Sequence, residues 1–171
     1  MSMPESMPSE AVQAAWTALA QETRTGVLLT MRNGRPFGSH VPYVFGDNWT
    51  CAFLHLSRLA LHTQHLLQDP RVSLFLSEAD APGRNPLALK RMNLQGSAAI
   101  LTDSRPSYAT IKERYLARFP QSAVLFGFGD FNLWELTLDD AHLVLGFGQA
   151  YKAHASAPLT WLHQKPDDKP K

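Results

Sequence analysis

Apolar positions along the chain fall mostly into short alternating runs separated by turn residues, with helical spacing in only three places. After Ser9, the residues Val12, Ala15, Trp16, Leu19 and Ala20 recur on one face of a helix, and that face calls for a sheet to pack on. Thr25 to Met31 predicts a strand, Asn33-Gly34 a tight hairpin turn, and Pro36 to Phe45 the returning strand. Gly46, Asp47 and Asn48 turn the chain into a third strand, Trp49 to Leu54. Ser57 then stands at a polar corner, placed to cap a helix from about Leu59 to Gln68. Asp69-Pro70 stops that helix, and Arg71 to Ser77 reads as a fourth strand.

The second half continues the pattern. Ala81 to Gly83 and Asn85-Pro86 mark an exposed loop, followed by a long strand from Lys90 to Thr102. In that strand Arg91, Asn93 and Gln95 project to one side, while Met92 and Leu94 project to the other. A third helix starts at Asp103 or Ser104, tolerates Pro106 in its first turn, aligns Tyr108, Ile111, Tyr115 and Phe119, and ends at Pro120. Its Lys112, Arg114 and Arg118 fit a solvated helix face and carry no assigned function. Ala123 to Gly129 reads as an aromatic, glycine-rich loop, and two last strands, Asp130 to Leu138 and His142 to Tyr151, flank an expected turn at Asp139-Asp140. Short strands joined by hairpins predict a mainly β fold with flanking helices, a closed antiparallel barrel of six to seven strands. One domain is expected over residues 9–155, with flexible tails at 1–8 and 156–171.

Composition narrows the function classes. The 171 residues carry 16 Lys plus Arg against 15 Asp plus Glu, a net charge of +1, so no long-range field gathers nucleic acid or an anionic membrane. Charged residues make up only 18%, which suggests that another subunit covers part of the surface. A second motive for a homodimer is the crowding of Gly, Phe and Trp between Phe126 and Trp134. The single cysteine, Cys51, lies in an apolar strand and reads as an inert thiol. No run approaches the roughly 20 apolar residues of a membrane span, and no basic start with an apolar run signals secretion, so a cytoplasmic location is expected.

Candidate chemistry gathers at Ser57. A strand that ends in Ser-Arg just before a helix offers backbone N–H groups, a hydroxyl and a guanidinium, the donors that hold a phosphate; the same residues also make an ordinary helix cap. His62 and His65 share a helix face, but no carboxylate or thiol follows at ligand spacing, so no metal site is expected. The sequence has no G-x-S-x-G elbow, P-loop or strand-linked dinucleotide fingerprint.

The stretch LSRLALHTQHLLQDPRVSLFL resembles the flavin split-barrel superfamily of pyridoxamine-phosphate oxidase, most of all its haem-utilisation branch. GRPFGSHVPYVF, RMNLQGSA, GFGDFNLWEL and AHLVLGFGQA occur in the order which that branch leads one to expect, and the resemblance spans roughly Trp16 to Tyr151. It implies a six- to seven-stranded antiparallel split β-barrel that dimerises around FMN. By that resemblance Ser39, His40 and Val41 lie beside the isoalloxazine; Ser57, Arg58, His62 and Thr63 hold the phosphate end; Arg91 and Gln95 complete the pocket; Phe131 and Trp134 wall it from the partner subunit. His65 stands where the branch often has Asn, and Glu135 where a basic residue is common. The implied function is an FMN-dependent oxidoreductase of unknown substrate, with no convincing catalytic acid or base. Two alternatives stay open: a haem-binding or haem-degrading protein, with His154 or His163 as axial ligands by chemistry alone, and a non-catalytic flavin-binding dimer. The branch usually carries a further C-terminal domain, and none is expected within these 171 residues.

Overall fold

The computed structural model describes residues 8–154 and 160–164 and shows a single antiparallel sheet that curls on itself, with three α-helices against it. The helices are α1 (Ser9–Glu22), α2 (Leu61–Gln68) and α3 (Tyr108–Arg118). The strands are β1 (Thr25–Arg32), β2 (Arg35–Pro42), β3 (Val44–Phe45), β4 (Cys51–Ser57), β5 (Arg71–Ser77), β6 (Arg91–Ile100), β7 (Phe131–Gly146), β8 (Gln149–His154) and β9 (Leu162–His163). Seven of them run in the order β2-β1-β5-β6-β7-β4-β3, and β8 joins β7 and carries β9. This is the mainly β split barrel expected from the hairpin pattern. The Asn33-Gly34 turn has both residues at positive φ, 51° and 73°, as the two-residue hairpin requires.

Strand β7 departs from expectation and organises the rest. There is no turn at Asp139-Asp140; the chain stays in one strand of 16 residues. Its register against β6 slips there, with Gly96 opposite Leu138 and Gln95 opposite Asp140, so Asp139 is the extra residue of a β-bulge. The slip changes which residues face inward. Trp134, Leu136 and Leu138 are buried before it, and Ala141, Leu143 and Leu145 after it. A phase shift in the apolar pattern looks like a break when read as sequence, which is why two strands and a turn were expected. Opposite the bulge the backbones close in, and a Cβ on Gly96 would lie 1.9 Å from the Thr137 carbonyl oxygen.

The free edge of β7 is shared. Cys51–Ser57 of β4 pair with residues 131–137, and β8 pairs with the segment beyond the bulge. The main core fills the inside of the curl and is closed by α1, whose Trp16 is fully buried and meets Phe45, Trp49 and Trp161 edge-on at 5.0, 5.6 and 6.4 Å. Trp161 overturns part of the tail expectation: it is 6% exposed, donates to Gln13 Oε1 at 2.8 Å, and leads into β9. The remaining tail expectations, for 1–7, 155–159 and 165–171, lie outside the described residues.

A second core lies on the outer face of β4 and β7, where α3 and a 3-10 helix over Pro120–Gly127 cover Phe53, Leu133, Ile111, Tyr115 and Phe119. The latter helix occupies most of the expected aromatic loop. The basic residues of α3 serve as rivets: Arg114 donates to the Phe45 carbonyl at 2.8 Å and pairs with Asp47, and Arg118 donates to the carbonyls of Gln21 and Thr23 at 3.1 and 2.6 Å, where α1 ends. His55 lies in this core, 7% exposed and stacked on Phe126 with ring centroids 3.8 Å apart. Burial, helped by the charge of Lys112, pushes its pKa down to about 4.

Two outcomes follow. Gly96→Ala forces the bulge apart and lowers stability by about 2 kcal/mol or more, read as a fall in the urea midpoint. The unfolded chain takes up the His55 proton near pH 6.5 while the folded chain refuses it until about pH 4. The stability contributed by neutral His55 is therefore complete above pH 6.5 and is lost progressively as pH falls through that window. His55→Phe has a shallower decline of the urea midpoint between pH 7 and 4.5 than the wild type; equal slopes would show that His55 does not drive it.

Candidate functional site

The Ser57 corner forms where β4 ends opposite Phe131, the first residue of β7, so the Gly129-Asp130 turn lies against it. Helix α2 begins later than expected. Its N-cap is Ala60 and has no side-chain cap bond, because residues 58–60 form a turn: Leu59 N–H donates to Ser57 Oγ at 3.1 Å and Ala60 N–H to the Ser57 carbonyl at 3.2 Å. Ser57 Oγ donates its proton to Asp130 Oδ2 at 2.5 Å. Arg58 donates through its backbone N–H to the Asp130 carbonyl at 2.7 Å and through Nη2 to the Gly129 carbonyl at 2.9 Å. The hydroxyl and guanidinium that a phosphate would use are thus turned toward the 129–130 segment, with a carboxylate on the hydroxyl. As folded, the corner does not fit a phosphate.

The other residues named from the sequence separate by face and by distance. Thr63 is fully buried, its Oγ1 without a partner among the described residues, so it does not front the corner. His62 is half-buried, and burial first, then neighbouring His65, lowers its pKa. His65 is buried and tied to structure: its Nδ1 bonds Thr30 Oγ1 at 2.9 Å, and Phe37 meets its ring edge-on at 5.1 Å. On β2, Ser39 and Val41 face inward opposite Leu28 and Gly26, whereas His40 faces outward, as the two-residue period demands. Ser39 Oγ is buried and without a partner among the described residues. Phe131 packs its ring 5.1 Å from His55, but Trp134 projects from the opposite face into the main core at 2% exposure. In this chain Trp134 is a core residue, not a wall of the site.

Arg91 lies far from the corner. It faces Val144 on β7 whereas Ser57 faces Phe131, which leaves about 40 Å of strand between them. Its Nη1 donates to the carbonyls of Leu87 and Leu89 at 3.2 and 3.0 Å. One chain therefore does not bring Arg91 and Ser57 together.

What the register does bring together is a row on the outer face. Leu29, Ser73, Gln95, Asp140 and His154 are successive cross-strand partners, so their side chains project side by side. His40, Val27, Phe75, Asn93, His142, Lys152 and Leu162 form the neighbouring row. His154 Nδ1 bonds directly to Asp140 Oδ1, and its side chain is 81% exposed. A carboxylate accepts only from an N–H, so Nδ1 carries a proton toward Asp140 and Nε2 is the ring nitrogen left facing outward. His163 is differently placed: its Nε2 donates to the Gly148 carbonyl at 3.1 Å and its ring rests 5.1 Å from Tyr151. A groove of about 330 Å³ opens beside the first row, with Leu29, Met31, Ser73 and Gln95 in its lining. Neither Asp130 nor Asp140 stands out in the sequence as a site residue: Asp140 falls in an apparent turn, and Asp130 meets Ser57 from 73 residues away.

The family model for pyridoxamine 5'-phosphate oxidase matches residues 12–145. The chain belongs to that family. Among its relatives, heme oxygenase HutZ of Vibrio cholerae is 27% identical over 147 residues, 84% of this chain and 81% of the relative. The chloroplastic heme oxygenase HOZ of Arabidopsis thaliana is 30% identical over 118 residues, 69% of this chain but only 34% of the relative. Among solved structures, a heme binding protein from Mycobacterium smegmatis superposes with a TM-score of 0.76 at 26% identity, over 90% of this chain and 61% of that one. Within this family, then, the chain is similar to members named for haem. Among the described residues no three His, Cys, Asp or Glu side chains cluster to hold a metal ion, and no helix is long and apolar enough to cross a membrane.

Proposed function

We propose that this protein binds haem on the outer face of its split barrel and takes part in haem turnover as a cytoplasmic homodimer. The observation that carries the reading is the His154–Asp140 pair: an exposed imidazole whose tautomer a carboxylate fixes, leaving Nε2 as a ready iron ligand. When bound, haem iron supplies the redox and oxygen chemistry. The chain's own residues do the holding. Asp140 orients His154 and strengthens it as a donor, Lys152 lies two residues along β8 in the neighbouring row as a cation for a carboxylate, and the groove begins at Gln95, about 10 Å across the sheet, and reaches Leu29 at about 20 Å as apolar contact. The similarity to the two heme oxygenases supports the same reading.

The homodimer rests on two features. The outer face leaves Val27 36% exposed with Phe75 half-buried beside it, and a second copy covers such a face. A two-chain site is also the way in which Arg91 of one copy could meet the Ser57 corner of the other.

The second reading is an FMN-dependent oxidoreductase. The unpartnered Ser39 and Thr63 hydroxyls favour a polar ligand near α2, while the Asp130 carboxylate on Ser57 counts against the flavin phosphate. Titration with haem and, separately, with FMN, followed by absorption, decides between them. The haem reading predicts a Soret band at one haem per chain. His154→Ala shifts that band and weakens binding by about tenfold or more, and Asp140→Asn weakens it by about 10-fold while keeping the band position. An unchanged band and affinity in His154→Ala would remove His154 as the ligand. No Soret band, together with tight FMN binding, would put the flavin reading in its place.

A further inference from the structure

The corner that resembles a flavin phosphate cradle contains its own anion. Ser57 Oγ has one proton to give, and it goes to Asp130 Oδ2 at 2.5 Å, while the same oxygen accepts from Leu59 N–H at 3.1 Å. Arg58, the corner's cation, is turned to the Gly129 carbonyl, and its backbone N–H to the Asp130 carbonyl. An incoming phosphate would have to take the hydroxyl from Asp130 and then sit beside the displaced carboxylate. Both are anions, and repulsion at that separation opposes binding in a half-buried site. We infer that Asp130 is an internal surrogate for the phosphate, so that the wild-type corner rejects phosphate-tailed ligands and works as a rivet between the β4–α2 connection and the start of β7. The specificity of this fold's anion site is, in this chain, set by one carboxylate 73 residues away from the serine it engages. The inference does not depend on haem binding, because Asp130 and the His154 row lie toward opposite ends of β7.

Asp130→Asn is the discriminating change, since the amide oxygen still accepts from Ser57 and the backbone carbonyl still accepts from Arg58, while the charge is gone. Binding of FMN and riboflavin is measured by fluorescence quenching for the wild type, Asp130→Asn and the double variant Asp130→Asn/Arg58→Ala. The wild type binds the two flavins with affinities within a factor of three. Asp130→Asn prefers FMN by tenfold or more, and the double variant loses that preference. If neither flavin binds detectably, the thermal midpoint in rising inorganic phosphate gives the answer: it climbs for Asp130→Asn and not for the wild type. Asp130→Ala serves in the same measurements if the asparagine variant does not fold. A wild type that already prefers FMN tenfold, or variants that fold and show neither the preference nor the phosphate effect, would overturn the inference. Haem titration of Asp130→Asn stays as in the wild type, so failure here and failure of the haem reading are told apart.

Discussion

The pairing of β7 is the constraint on which the rest of the structure depends. This strand is hydrogen-bonded along one edge to the whole of β6 and along the other to β4 and then β8, so it joins the two halves of the sheet. A strand that long, in a sheet that curls, has to adjust its twist and keep its apolar side chains inward over its whole length. The bulge at Asp139 does both, at the place where the second edge passes from β4 to β8. Gly96 is its counterpart on β6, since only a residue without a Cβ lets the Thr137 carbonyl come so close.

The bulge also determines chemistry. Were the strand to run on without the register slip, the alternation that sends Trp134, Leu136 and Leu138 inward would send Asp140 inward too. With it, Asp140 faces out and meets His154 across the β7–β8 ladder. Plain alternation ahead of the bulge explains Trp134. It lies three residues from Phe131 on an unbroken stretch of strand, so the two occupy opposite faces and cannot wall one pocket from one chain.

Much of the fold was legible because it is local. The Asn33-Gly34 hairpin, the Trp16 face of α1 and the Asp69-Pro70 stop each depend on a few neighbouring residues. What was not legible is long-range. Ser57 and Arg58 show the donors of an anion site in sequence, but whether those donors are free depends on Gly129 and Asp130, which reach them only once β4 pairs with β7. The start of α2 moved for the same reason: Ser57 is held by the β4–β7 corner and by its own turn, so the helix nucleates at Leu61. Trp161 was missed because a single aromatic residue in a polar tail gives no periodicity, and its burial comes from α1, far away in sequence.

The two ends of β7 therefore differ in kind. At the start, Ser57 is engaged by the Asp130 carboxylate and Arg58 donates to the Gly129 and Asp130 carbonyls, which fastens two connections beside the aromatic cluster around His55. Beyond the bulge, a histidine and an aspartate satisfy one nitrogen and leave the other unengaged on an open face. A group whose partners are all internal contributes to stability and offers little to a ligand, whereas a pre-oriented group with one vacant valence offers a great deal. On that physical ground the exposed pair beyond the bulge is better prepared to meet a ligand than the corner, where the Ser57 hydroxyl is already engaged by Asp130.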